Sequence, residues 1–198
     1  MEQLEEKIAR EGEVVSDDIL QVDTFLHRQI DPSLMDAMGK ARAQRFDDRG
    51  ITKVVTVATG GIAPAVFTAM YLNVRCLIVD KNDTVPQDDR CFVSVTSRTQ
   101  QKDFVLSIEN GYLNEKDHVL IVDDFLANGN TITGVARLCH MAGASVEGIG
   151  ICIEKCFQNG GTKLREAGYD VQSLALIRTM SETAISFRMQ KEVLPDVF

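Results

Sequence analysis

The sequence predicts an α/β protein built on a doubly wound, mostly parallel sheet, and three observations point there. Strand-length apolar runs alternate with helix-length segments along the chain. Two of the runs, Cys76–Asp80 and Val119–Val122, are continuous rather than alternating, as in strands buried on both faces. Small, glycine-containing loops follow the strands, where open α/β sheets place their ligands.

The elements follow in order. Residues 2–10 form a short charged helix with Leu4 and Ile8 on one side. Asp31 and Pro32 give a cap and a first turn, and Leu34, Met38, Ala41 and Phe46 continue at helical spacing toward Gly50. Lys53–Ala58 reads as a strand, Thr59-Gly60-Gly61 as a loop and Ala63–Leu72 as a helix. Cys76–Asp80 is the second buried strand. After the polar run Lys81–Arg90, Cys91–Val95 and Phe104–Ile108 flank a polar tip, Ser97–Asp103, and form a β-hairpin inserted into the alternation. A helix over Thr131–Met141 stops at Gly143. Val146–Glu154 is a strand, Thr162–Ala167 a helix and Val171–Ile177 a strand. No internal repeat, low-complexity segment or linker interrupts the 198 residues, which suit one domain.

Composition narrows the function. Lys and Arg total 21 against 29 Asp and Glu, a net charge of −8, which argues against nucleic acid or an anionic membrane as partner. No apolar run reaches the ~20 residues of a membrane-spanning helix and no signal-peptide pattern opens the chain, so a soluble, cytoplasmic protein is expected. Five cysteines (Cys76, Cys91, Cys139, Cys152, Cys156) lie mostly in or beside apolar stretches, as reduced core thiols do. Cys152 and Cys156 stand four apart, but no nearby His or Cys completes a zinc set. His118 and His140 have no evident partners and read as structural.

The most specific segment is Val119-Leu120-Ile121-Val122-Asp123-Asp124-Phe125-Leu126-Ala127-Asn128-Gly129-Asn130-Thr131. Two carboxylates stand at the strand's carboxyl end. The glycine loop behind them leads into a helix N-terminus, whose backbone N–H groups and partial positive charge suit a phosphate. Amides for a phosphate and carboxylates for hydroxyls together suit a phosphorylated sugar. This segment resembles the phosphoribosyl pyrophosphate signature of the type I phosphoribosyltransferases. The resemblance extends over nearly the whole chain, through Leu20–Leu26, Gln29-Ile30-Asp31-Pro32, Gly61-Ile62-Ala63-Pro64, Ala142–Ser145 and Ile153-Glu154-Lys155, and is nearest the xanthine-using branch.

The resemblance implies a single phosphoribosyltransferase domain over 1–198. A small hood built from about residues 1–35 and the C-terminal part would select the base, and a flexible hairpin at about 90–109 would cover the site. It implies transfer of a 5-phosphoribosyl group to xanthine in purine salvage, with guanine or hypoxanthine as alternative acceptors. Asp123 and Asp124 would hold the ribose hydroxyls beside an oxocarbenium-like centre. Ala127, Asn128, Gly129, Asn130 and Thr131 would hold the 5′-phosphate. Thr59, Gly60 and Gly61 would form the pyrophosphate loop, or only a tight turn. Lys81 would meet pyrophosphate, or stand solvated on the surface. Leu20, His27, Lys155 and Phe157 would contact the base. The family carries Asn where this sequence has His27, and an imidazole lacks the amide's paired donor and acceptor. Mg²⁺ would come bound to pyrophosphate and ribose oxygens, with no protein ligand. The tip Ser97–Lys102 would close as a lid or remain an exposed turn. A homodimer is implied as well.

Two other function classes are weaker. A regulator sensing phosphoribosyl pyrophosphate or nucleotides on the same fold would need a basic DNA-binding domain, for which the chain has neither length nor charge. A dinucleotide oxidoreductase would need a G-x-G-x-x-G after its first strand, and none is present.

Overall fold

A computed structural model describes residues 1–86, 89–97 and 102–188. Its frame is an eight-stranded sheet in the order β10-β9-β8-β7-β3-β4-β6-β5. The strands are β3 (Lys53–Val57), β4 (Arg75–Asn82), β5 (Arg90–Ser97), β6 (Lys102–Glu109), β7 (His118–Leu126), β8 (Ser145–Lys155), β9 (Val171–Ser181) and β10 (Ala184–Phe187). The five central strands, β9 to β4, run parallel, while β10 and the β5–β6 hairpin add antiparallel edges. The predicted mostly parallel α/β sheet is what forms.

Helices cover both faces because the central strands are apolar on both. Val55, Val57 and Ile121 pack with Ile132, Val135 and Ala136 of α4 (Asn130–Met141). Val54, Leu120 and Val122 meet Phe46 of α2 (Pro32–Phe46) and Ala65 and Ala69 of α3 (Ile62–Leu72). Asp31 caps α2 as its sequence signal requires, its carboxylate accepting from the amides of Ser33 and Leu34. Helices α2 and α3 touch at Gly39, where a Cβ would lie 2.8 Å from the Phe67 carbonyl.

The N-terminal segment forms a separate layer. α1 (Glu2–Glu11) buries Leu4 and Ile8, the two residues its periodicity singles out. A small hairpin, β1 (Glu13–Ser16) with β2 (Ile19–Gln21), leads into a π-helical turn at Asp23–His27. Phe25, Leu26, Leu20 and Val22 pack with Cys152, Ile153, Leu174 and Ile177, which docks this layer on β8 and β9. Neither this hairpin nor β10 is legible in the sequence, since each strand is three or four residues long and is held by its partner.

Two expectations need correction. β4 is not buried on both faces: only Val79 is fully buried, and Ile78, on the face where α3 packs, is exposed. Lys81 lies within β4 rather than after it. All five cysteines are free thiols.

Because the obstruction at Gly39 is Phe67 backbone, Gly39→Ala is expected to push α2 and α3 apart. The cost should be about 1–3 kcal/mol of overpacking, read as a lower urea midpoint with unchanged m-value.

Candidate active site

Parallel strands end on one side of the sheet, and register decides which residues meet there. Lys53 pairs with Val119 and Val55 with Ile121. Carried forward, that register brings the loop after β3 beside the end of β7. The Ala58–Thr59 peptide is cis. A Cβ on Gly60 would stand 2.3 Å from Asp124 Oδ2 and 3.2 Å from His27 Nε2. One on Gly61 would stand 2.2 Å from Thr56 Oγ1 and 2.7 Å from Asp123 Oδ1. The two glycines are therefore required by the carboxylates beside them. Thr56 Oγ1 is buried with no hydrogen-bond partner among the described residues.

The two carboxylates differ. Asp123 is buried, and burial first, then the charge of Asp124, pushes its carboxyl well above the usual range. Its Oδ1 accepts from the Asp124 amide at 3.0 Å. Burial also pushes Asp124 upward. The hydrogen bond from His27, with that from Asp123, outweighs it and leaves Asp124 below its ordinary value. His27 Nε2 stands 2.6 Å from Asp124 Oδ2, and its Nδ1 faces Asp23 Oδ1 at 3.5 Å. The hydrogen bond to Asp124, against the opposing pull of burial, raises the imidazole above its ordinary value.

The loop 127–129 turns through Gly129, left-handed at φ +80°, into the first turn of α4. The loop is pressed against Gly160, whose amide donates to the Ala127 carbonyl at 3.0 Å. A Cβ on Gly160 would fall 2.2 Å from that oxygen and 2.6 Å from the Gly129 nitrogen. Gly160 opens α5 (Gly160–Glu166), which Arg165 ties to the buried Glu154 through two 2.8 Å bonds. The sequence reading misses this support, although Asn159-Gly160-Gly161 was its available signal. Asn130 Nδ2 donates to the Thr96 carbonyl at 2.8 Å, so its side chain faces the β5 hairpin.

On the other side of Asp124, Lys155 Nζ donates to the Asp18 carbonyl at 2.5 Å and stands 5.0 Å from the Phe125 ring centroid. Burial lowers the pKa of this ammonium, against the charges of Asp18 and Asp124. The His27 ring meets the same Phe125, centroid to centroid 5.9 Å. Phe125, noted in the sequence only as part of the signature, is thus shared by two candidate base contacts. Leu20 is packed with Leu4 and Ile8 in the core, while Phe157 is exposed. Lys81 stands over the Phe104 ring at 4.2 Å. Residues 98–101, most of the expected lid tip, lie outside the described residues. The two remaining histidines do have partners: His118 Nδ1 meets Glu147 at 2.9 Å and Ser145 at 3.0 Å, and His140 stacks on Tyr169.

Among the described residues, no group of three or more His, Cys, Asp or Glu side chains could cage a metal. Asp123 and Asp124 at the end of β7 offer hard carboxyl oxygens, the kind of group that suits Mg²⁺ or the water it carries. The site fits a Mg²⁺ that arrives on substrate oxygens and keeps much of its water, with no side chain assigned to it.

A phosphoribosyl transferase domain model matches residues 28–192. The chain belongs to the phosphoribosyltransferase family. It is 47% identical over 192 residues to proteins named xanthine phosphoribosyltransferase in Bacillus cereus and Bacillus anthracis, alignments that cover 96% of this chain and 98% of theirs. Among solved structures, adenine phosphoribosyltransferase from Rhodothermus marinus DSM 4252 superposes with a TM-score of 0.73 at 23% identity, covering 88% of this chain and 98% of that one. The enzyme of that name from Thermoanaerobacter pseudethanolicus gives 0.65 at 26%, over 73% and 81%. Like these phosphoribosyltransferases, the chain carries its central parallel sheet with helices on both sides. No helix among the described residues is long and apolar enough to cross a membrane.

Gly60→Ala is the sharpest test of the carboxylate cluster, since its Cβ would displace Asp124 and His27 together. Phosphoribosyl transfer is expected to fall at least ~10²-fold, the scale of one lost electrostatic contact, with a melting temperature close to wild type.

Proposed function

We propose that this chain transfers the 5-phosphoribosyl group from phosphoribosyl pyrophosphate to xanthine, giving xanthosine 5′-monophosphate and pyrophosphate in cytoplasmic purine salvage. The observation that carries the reading is the 47% identity to proteins of that name along nearly the full length of both chains. The site geometry supports it.

In this reading Ala127, Asn128, Gly129, Asn130 and Thr131 hold the 5′-phosphate through loop amides and the α4 N-terminus, and the Asn130 side chain serves the hairpin instead. Asp124, kept ionised by His27, accepts from a ribose hydroxyl and lies beside the positive charge that grows at C1′. Asp123, its carboxyl pushed above the usual range by burial and by the charge of Asp124, lies beside it and holds the neighbouring ribose hydroxyl. Thr59, Gly60 and Gly61 offer backbone amides to pyrophosphate, and Lys81 reaches it from β4. As N9 of the purine bonds to C1′, the bond from C1′ to pyrophosphate breaks with its electron pair leaving on pyrophosphate, and the proton of the base's imidazole ring passes to solvent. Bound Mg²⁺ supplies charge neutralisation to the departing pyrophosphate. Residues 1–35 with the C-terminal strands act as the hood. Lys155 serves the base in this reading: xanthine loses a proton near neutral pH, and an ammonium nearby favours its anion. Phe125 supplies an apolar surface beside it, and Leu20 and Phe157 bound the pocket.

One observation favours a wider acceptor range. Both His27 nitrogens face carboxylates, so the amide-like contact expected at residue 27 is not offered to the base. Hypoxanthine or guanine is the second reading.

With phosphoribosyl pyrophosphate and Mg²⁺, xanthine is expected to give the highest kcat/KM among xanthine, hypoxanthine, guanine and adenine, and adenine none. Preference for adenine would overturn the assignment. Asp123→Asn combined with Asp124→Asn should abolish turnover by more than the ~10²–10³-fold of a single lost contact, with the circular-dichroism spectrum unchanged.

We also infer a homodimer. Val66, Met70 and Tyr71 of α3 are exposed, as are Ile78 of β4 and Phe92 of β5. The pairing of Phe92 with Ser107, and of Ser107 with Asp80, puts Phe92 on the sheet face of Ile78, the face on which α3 packs. Exposed apolar surface of this kind marks an interface. Light scattering at micromolar concentration is expected to give twice 21.9 kDa; a monomer mass would contradict the dimer.

A further inference from the structure

We propose that His27 is a positioning residue for Asp124, gripping the carboxylate so that it stays ionised and aimed at the ribose, and that residue 27 therefore governs capture of phosphoribosyl pyrophosphate rather than choice of base. The inference rests on the proposed transfer reaction for the identity of the sugar. The grip itself is visible without it.

The geometry is that of a clasp. Nε2 reaches Asp124 Oδ2 at 2.6 Å, the short distance of a charge-assisted bond. Nδ1 faces Asp23 Oδ1 at 3.5 Å, and Asp23 is held in turn by Arg28 Nε at 2.9 Å. With a carboxylate at each nitrogen, the ring is best matched as an imidazolium, which donates at both. Phe125 lies against the ring, and Gly60 leaves Asp124 Oδ2 and His27 Nε2 room beneath the loop 59–61. The clasp joins two layers that the chain builds separately. Asp23–His27 is a π-helical turn of the N-terminal layer, fixed by buried Phe25 and Leu26, whereas Asp124 lies near the end of a central strand.

Asp124 needs such a partner. It is largely enclosed and sits next to Asp123, and both conditions disfavour a second charge. The charged and titratable groups around the pair are Asp23 and Arg28 from the turn, Asp123 from β7, Lys155 from β8 across Phe125, and Lys81 acting on Asp123. Of these, His27 alone is hydrogen-bonded to the Asp124 carboxylate with a proton it can carry as a cation. The carboxylate oxygens keep further lone pairs for a ribose hydroxyl.

The sign of the pH dependence follows. The imidazole is raised above its ordinary value, so its charge is present at and below that value and is lost as pH rises through the raised one. The carboxylate is lowered, so its charge is present above its ordinary value and is lost as pH falls through the lowered one. The ion pair thus spans the interval between the lowered carboxylate value and the raised imidazole value.

Two measurements test this. The chain has three histidines, so the imidazoles can be followed individually by NMR through a pH titration. His27 is expected to titrate above the ordinary histidine range, and Asp124→Asn is expected to bring it down. Ordinary titration of His27 in wild type, or no response to Asp124→Asn, would overturn the proposal. This readout requires no turnover, so it stands or falls apart from the proposed reaction, which the base panel tests. In kinetics, His27→Leu should raise KM for phosphoribosyl pyrophosphate about ten- to a hundredfold, the scale of one hydrogen bond to a charged group, and move the acid limb of kcat/KM to higher pH. His27→Gln, which restores a neutral donor, should recover part of the loss in KM and part of the shift in the limb. The ratio of kcat/KM for xanthine over hypoxanthine should stay within about twofold in both variants. A changed base ratio with an unmoved acid limb would show that His27 contacts the base instead.

Discussion

Two adjacent carboxylates at the end of a buried strand are costly, because each loses hydration and each repels the other. The surroundings of Asp123 and Asp124 are organised around that cost. Burial and the neighbouring charge push the Asp123 carboxyl above its usual range, while a hydrogen bond from His27 holds Asp124 below it. Gly60 and Gly61 are small because the carboxyl oxygens occupy the space where side chains would begin. Elements distant in sequence are thereby fixed to one another: the N-terminal turn through His27, the end of β7 through the acids, and the loop after β3 through its glycines.

The loop 127–129 is organised differently, by backbone contact from outside. Its carbonyl at Ala127 accepts from Gly160, and the helix that Gly160 opens is anchored where Glu154 receives Arg165 and Ser173. Burial alone would raise Glu154, but these partners hold it below its ordinary value, so a charged anchor lies under the loop. Glu154 and Lys155 are consecutive on β8 and alternate across the sheet, one carrying the support of α5 and the other reaching Asp18 above Phe125. One strand end thus supports both the loop 127–129 and the Phe125 side of the site.

The N-terminal layer has a different status from the sheet. Its strands are too short to stand alone and its helix buries only two side chains, so its position depends on packing against β8 and β9. Two of the four expected base contacts, Leu20 and His27, come from it, and the other two, Lys155 and Phe157, come from the end of β8 and the residues after it.

Much of the fold was legible in the sequence. The continuous apolar run Val119–Val122 required a strand covered on both faces, the cap at Asp31-Pro32 set the start of α2, and the acids with Gly129 marked a strand, loop and helix for a phosphorylated ligand. These are local signals, fixed by periodicity, capping and the left-handed turn that glycine permits. Other features were decided only by tertiary structure, because they depend on which distant groups become neighbours. Nothing in the spacing of residues 27 and 124 shows that an imidazole will meet a carboxylate at 2.6 Å, nor that the Asn130 amide will turn to Thr96. The exposure of Ile78, in a run that reads as buried, depends on how far α3 reaches over β4, which no local pattern shows. The sequence by itself determined the sheet and the type of ligand its loops can hold. The division of labour between the two acids was decided by burial and hydrogen bonding, which exist only once the layers have met.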